Sequence, residues 1–94
     1  MLNETVNFTS PIKAHGGMSE LADFTDKLNY CDLIVLTWVS RDRIYCRFFL
    51  SGIYMDRMYV SDEGILSHLH RLCGVGDEIS TSGVAELKQL FVRV

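Results

Sequence analysis

The stretch CRFFLSGIYMDRMYV, residues 46–60, decides how this chain is read. Ser51-Gly52 separates two runs rich in aromatic and branched apolar residues, and a two-residue break of that kind predicts a β-hairpin. Both faces of the hairpin carry large apolar side chains. An antiparallel sheet commonly buries one face and wets the other. The chain therefore poses a question: what covers the second face?

Outward from the hairpin, the pattern extends into a meander. Residues 32–39, DLIVLTWV, are predominantly apolar and stop at Ser40-Arg41-Asp42-Arg43, so strands are expected over 32–39, 43–50 and 53–60. Helices are expected on either side. From Ser19 as N-cap to Asn29, Leu21, Phe24 and Leu28 fall on one face, with Asp23 and Lys27 able to pair outside it. From Ser61 as N-cap to Cys73, with Gly74 closing at C′, the stripe is Ile65, Leu66, Leu69, Leu72 and Cys73. Residues 2–8 alternate as a half-buried strand would, residues 10–17 read as a loop, and the tail from Ser82 reads as a short helix ending in a brief strand near Leu90–Val94. The fold class that follows is α+β: one domain, residues 1–94, with a three- or four-stranded antiparallel sheet (meander 32–60) and two amphipathic helices on one face.

The turns suggest a register. If Leu50 faces Ile53, then Phe49 faces Tyr54, Arg47 faces Asp56 and Tyr45 faces Met58; the same parity at Arg41-Asp42 sets Trp38 beside Tyr45, Leu36 beside Arg47 and Ile34 beside Phe49. One face is then Leu33, Val35, Val39, Ile44, Cys46, Phe48, Leu50, Ile53 and Met55, with Arg57 and Tyr59 near its margin, covered by the helices. The second carries Ile34, Leu36, Trp38, Tyr45, Phe49, Tyr54 and Met58 around an Arg47–Asp56 pair, and these nine residues are the candidate binding surface. Three strands of eight residues span ~26 by ~14 Å, on the order of 400 Å². A dimer interface of ordinary size takes about 800 Å² from each partner, so this face needs a further strand or the tail to make one. The competing expectation is that residues 75–94 fold over it.

Composition narrows the chemistry. Hydrophobic residues make up 48% and charged residues 22%, and the net charge is −3. That balance weighs against nucleic acid, whose binding runs on clustered Lys and Arg. The helix–strand–strand–strand–helix order is similar to that of double-stranded-RNA-binding domains, which grip phosphates with lysines opening the last helix; Asp62 and Glu63 stand there instead. The longest apolar run, residues 33–36, is far too short to cross a membrane. The N-terminus lacks the basic and apolar regions of a secretory signal. Cysteines at 31, 46 and 73 are odd in number and irregular in spacing, which favours reduced thiols and a cytoplasmic location.

No catalytic or metal constellation is legible. His68 and His70 stand two apart on a helix and point ~200° from one another, so they cannot share a ligand. Cys46 and Cys73 fall on apolar faces, and Cys31 alone is expected near the surface. No phosphate-cradling glycine motif occurs. The reading is a small non-enzymatic protein-interaction module without cofactor or metal, homodimeric through the second sheet face or docking another protein there. A small apolar ligand and single-stranded nucleic acid are the alternative occupants.

Overall fold

The computed structural model describes residues 17–91, and the strand and loop expected before Gly17 lie outside them. The elements are α1 (Gly17–Leu28), β1 (Leu33–Ser40), β2 (Arg43–Leu50), β3 (Ile53–Val60), α2 (Glu63–Leu72), a short 3-10 turn (Val75–Asp77), β4 (Glu78–Ile79) and α3 (Thr81–Phe91). The four strands make one antiparallel sheet in the order β3-β2-β1-β4. This is the expected α+β architecture with a third helix added. The tail differs from expectation: a brief strand precedes its helix, and Leu90 and Phe91, expected in a closing strand, are helical, while residues 92–94 of that expected strand lie outside the described residues.

Every helix packs on the same side of the sheet. Phe24 and Leu28 of α1, Ile65, Leu66 and Leu69 of α2, and Val84 and Leu87 of α3 join Ile34, Leu36, Ile44, Cys46, Phe48 and Val60 in one buried cluster. Phe24 stands at its centre, edge-on to Phe48 at 6.0 Å and to Phe91 at 5.7 Å. Residues 75–91 therefore complete the helix layer and do not fold over the second face.

Local chemistry sets the element ends. Asp62, rather than Ser61, caps α2, its Oδ1 accepting from the Ile65 N–H at 3.0 Å. The N–H groups of Ser61 and Asp62 are instead held by the Glu20 carboxylate of α1. One side chain thus ties the first helix to the entry of the second. Ser19 lies inside α1, which begins at Gly17. Gly74 has φ of −112° and is not a left-handed cap; the reversal into β4 comes at Gly76 and Asp77, with φ of 74° and 57°.

The two hairpins differ in their turns. Ser51 and Gly52 have φ of 52° and 80°, the paired positive values of a type I′ turn, whose twist matches that of its strands. The Asp32 carboxylate steadies it by accepting from the Ser51 N–H at 3.2 Å. At Arg41-Asp42 neither residue has positive φ, so the turn lacks that matching twist. The mismatch is absorbed by one extra residue: Ser40 pairs with Arg43, but Trp38 pairs with Ile44, leaving Val39 as a bulge. A second bulge falls at Met55, between the Phe49–Tyr54 and Phe48–Asp56 pairs. There Asp56 Oδ1 accepts from the Arg57 N–H at 2.7 Å, satisfying a donor beside the interrupted ladder.

Two substitutions test these placements. Ser51→Asn, which suits positive φ better than Ser, should stabilise by about 0.5–1 kcal/mol. Gly83→Ala should destabilise by about 1–3 kcal/mol through overpacking, because its Cβ would meet Ile79 Cγ2 at 2.7 Å. Urea denaturation of both variants reads the two signs directly.

Candidate functional site: the open face of the sheet

Each bulge adds one residue, and in a pleat of period two one residue exchanges the faces beyond it. The expected register holds at Leu50–Ile53, Phe49–Tyr54 and Ser40–Arg43, then slips by one in both outer strands. Strand β2 keeps both faces as expected. On β1 they are exchanged, so Ile34 and Leu36 are buried in the core and Trp38 is half-buried against α2, its ring stacked on His70 at 4.3 Å. On β3 they are exchanged beyond Met55, so Asp56 and Met58 turn toward the helices and Arg57 and Tyr59 away from them.

Five of the nine expected surface residues therefore leave the second face: Ile34, Leu36, Trp38, Asp56 and Met58. The expected Arg47–Asp56 pair does not form. Asp56 Oδ2 lies 3.7 Å from Lys27 Nζ, which also contacts Asp23 at 2.9 Å. Burial acts to lower the Lys27 pKa, but the Asp23 hydrogen bond and the Asp23 and Asp56 charges outweigh it and hold the ammonium above its ordinary value.

The face opposite the helices is built in cross-strand rows. Glu78, Val35, Arg47 and Arg57 form one, Thr37, Tyr45 and Tyr59 a second, and Leu33, Phe49 and Tyr54 a third. Tyr45 and Tyr59 lie 5.0 Å apart, Phe49 meets Tyr54 edge-on at 5.8 Å, and the Arg43 guanidinium sits 4.3 Å above the Tyr59 ring. Tyr54, Tyr59, Arg43 and Arg57 are exposed, while Tyr45, Arg47 and Phe49 are half-buried among their neighbours. Among the described residues no helix stands over this face. Tyr45, Arg47, Phe49 and Tyr54 are the expected site residues it retains; Arg43, Arg57, Tyr59 and Glu78 are those the sequence reading missed.

Charge divides between the two sides. Toward the helices, Lys27 is paired as described and Arg71 reaches Glu86 at 2.6 Å while donating to His68 Nδ1 at 2.8 Å. On the open face, none of Arg43, Arg47 and Arg57 has an acidic partner within salt-bridge distance among the described residues. Arg47 and Arg57 are directly opposed across β2 and β3, and the Nε of Arg47 is shielded from solvent without a hydrogen-bond acceptor among the described residues. Tyr45, then Tyr54 and Tyr59, hold the Arg57 guanidinium in its charged form, raising its pKa above the ordinary value.

The remaining candidates lie elsewhere. Cys31 is buried, contrary to its expected place near the surface. Burial pushes its pKa up to about 11 and that of Cys46 up to about 12. Cys73 is half-buried, its pKa raised by desolvation and by Asp77. A cleft of about 170 Å³ opens on the helix side between Asp26, Lys27, Tyr30, Phe48, Met55 and Asp56, below the roughly 300–1,000 Å³ of ordinary ligand pockets. No group of metal-ligating side chains gathers among the described residues, and none of their helices is long and apolar enough to cross a membrane. Comparison with protein families, with curated proteins and with solved structures found no match to the chain.

The slipped register makes opposite demands at neighbouring positions. Ile34→Ala should cost about 2–5 kcal/mol as a core truncation, and Val35→Ala clearly less, where the unslipped register requires the reverse order. Chemical denaturation of the pair decides it. Thiol accessibility offers a separate check: a disulfide-exchange reagent near pH 8 should titrate Cys73 alone in the native protein and all three thiols in denaturant.

Proposed function

We propose that this chain is a non-enzymatic interaction module whose open sheet face docks an acidic segment of a partner protein. The observation that carries the proposal is the cluster of Arg43, Arg47 and Arg57, without acidic partners among the described residues, set between Tyr45, Phe49, Tyr54 and Tyr59. Tyr and Arg dominate the energetics of protein interfaces, because both present wide, rigid contact surface together with polar groups. In a chain of net charge −3, this one face gathers positive charge.

Charge and area together favour a partner segment over a second copy of the chain. A twofold contact centred on the Arg47–Arg57 row would set those arginines against their own copies, and like charges brought together out of water are costly. The register has also removed Ile34, Leu36, Trp38 and Met58, the residues that gave the homodimer reading its apolar core. The area, on the order of 400 Å², is half of what each side of an ordinary stable dimer supplies, and suits a short segment. Nucleic acid is served less well. Its binders offer aromatic faces for base stacking along a basic groove, whereas here Arg43 covers Tyr59 and the other rings pack on one another.

The test uses a labelled peptide one strand in length that repeats Tyr-Ser-Glu-Ser, so that Tyr and Glu follow one another on a single face (the Glu–Tyr peptide), followed by fluorescence anisotropy. Saturable binding should weaken with added salt and fall about tenfold or more in Tyr59→Ala, an exposed position whose loss leaves the fold intact. Oligothymidylate of matched charge should bind more weakly. Tighter binding of the oligonucleotide, or a wild-type protein that sediments as a dimer at micromolar concentration, overturns the proposal.

A further inference from the structure

We infer that Arg47 and Arg57 form a carboxylate seat on the open face, one that holds a glutamate or aspartate side chain of the docked segment between two guanidinium groups. The inference rests on the docking reading above and gives it a centre.

Three independent observations converge on this pair. The first is position. Arg47 and Arg57 are direct partners across β2 and β3, which puts their Cβ atoms about 4.5–5.5 Å apart on one face. Like charges placed so repel, and the arrangement lowers the stability of the unliganded protein. The second is the Nε of Arg47, closed off from solvent with no acceptor among the described residues. A guanidinium donor in that state has lost water and gained nothing in return. The third is the distribution of acids. Asp56 follows Met55 into the bulge and turns toward Lys27, when the unbulged register would have set it opposite Arg47. Glu78 shares the row but stands beyond Val35.

An incoming carboxylate answers the first and third directly, and the second when Arg47 turns its Nε edge outward to meet it. It neutralises the repulsion, accepts from the guanidinium edges, and does so where a planar oxyanion can be met by forked donors. Tyr45 and Tyr59, packed together in the next row, wall one side, and Phe49 with Tyr54 the other. An acidic residue flanked by aromatic or apolar residues at alternate positions would place its carboxylate on Arg47–Arg57 and its neighbours on these rings. The partner's chemistry is thus an extended segment with one acidic side chain reaching the middle row.

The experiment follows the Nε–Hε magnetic resonance signals of the arginines in isotope-labelled full-length protein. Acetate, titrated against chloride at matched ionic strength, should move the Arg47 and Arg57 signals saturably and leave those of Arg41 and Arg71 in place. The Glu–Tyr peptide should do the same at lower concentration, and its Gln–Tyr counterpart should bind about tenfold or more weakly. Acetate that moves all arginines alike, or none, overturns the seat, as does a Gln–Tyr peptide that binds as tightly as Glu–Tyr. If acetate selects the pair but no peptide docks, the seat stands and the docking reading falls. Oligothymidylate that moves the same two signals at lower concentration than the peptide overturns the carboxylate assignment in favour of phosphate. The variant Arg57→Glu separates binding from folding. An internal pair with Arg47 should raise its melting temperature by a few degrees while abolishing the response to the Glu–Tyr peptide. A lowered melting temperature, or unchanged peptide binding, would overturn the proposal.

Discussion

Strand β2 is hydrogen-bonded on both sides along its length, and its side chains alternate without interruption between the helix layer and the open face. Everything else in the sheet is placed relative to that alternation. Ile44, Cys46 and Phe48 point inward and are fully buried, so the strands beside β2 must present their own inward residues at matching heights. Each neighbour meets the demand with one bulge, and each bulge lies close to a hairpin turn. The helices then find one continuous apolar floor. The arginines and tyrosines are left together on the other side as a result of the same constraint.

Much of this was legible in the residues. The hairpin at Ser51-Gly52, the three long strands, the stripe on α2 and the alternation of β2 follow from turn chemistry and periodicity. The faces of β1 did not, because Leu33, Val35 and Val39 are as apolar as Ile34, Leu36 and Trp38. A strand with two greasy faces carries no parity signal of its own. On β3 the apparent Arg47–Asp56 pair argued for the unbulged register, yet Lys27 on α1 supplied Asp56 with a different partner. That ion pair crosses from helix to sheet, where local spacing has no reach. A cue was present at Arg41-Asp42, a loop without glycine or asparagine to accept the positive φ of a matching turn.

The helix layer is joined by contacts of another kind. Glu20 holds the start of α2, Arg71 bridges α2 to Glu86 of α3, and Phe24 touches Phe91. Polar side chains here satisfy backbone donors or find opposite charges. The open face has no such closure among the described residues: the Arg43 guanidinium lies over the Tyr59 ring, and Arg47 and Arg57 stand opposite one another in the register. The contrast separates a side whose charges are closed on one another from a side whose charges, among the described residues, are not.

Trp38 stacks on His70 of α2 and is the chain's one tryptophan. Its indole emission therefore reports a single contact, the seating of the second helix on the sheet, while circular dichroism averages over every element. Coincidence of the two signals during denaturation marks sheet and helix as one cooperative unit. An emission change that comes first marks α2 as a part able to lift away alone. Nature has in effect placed one label in the molecule, on the side where the helices rest and away from the tyrosines.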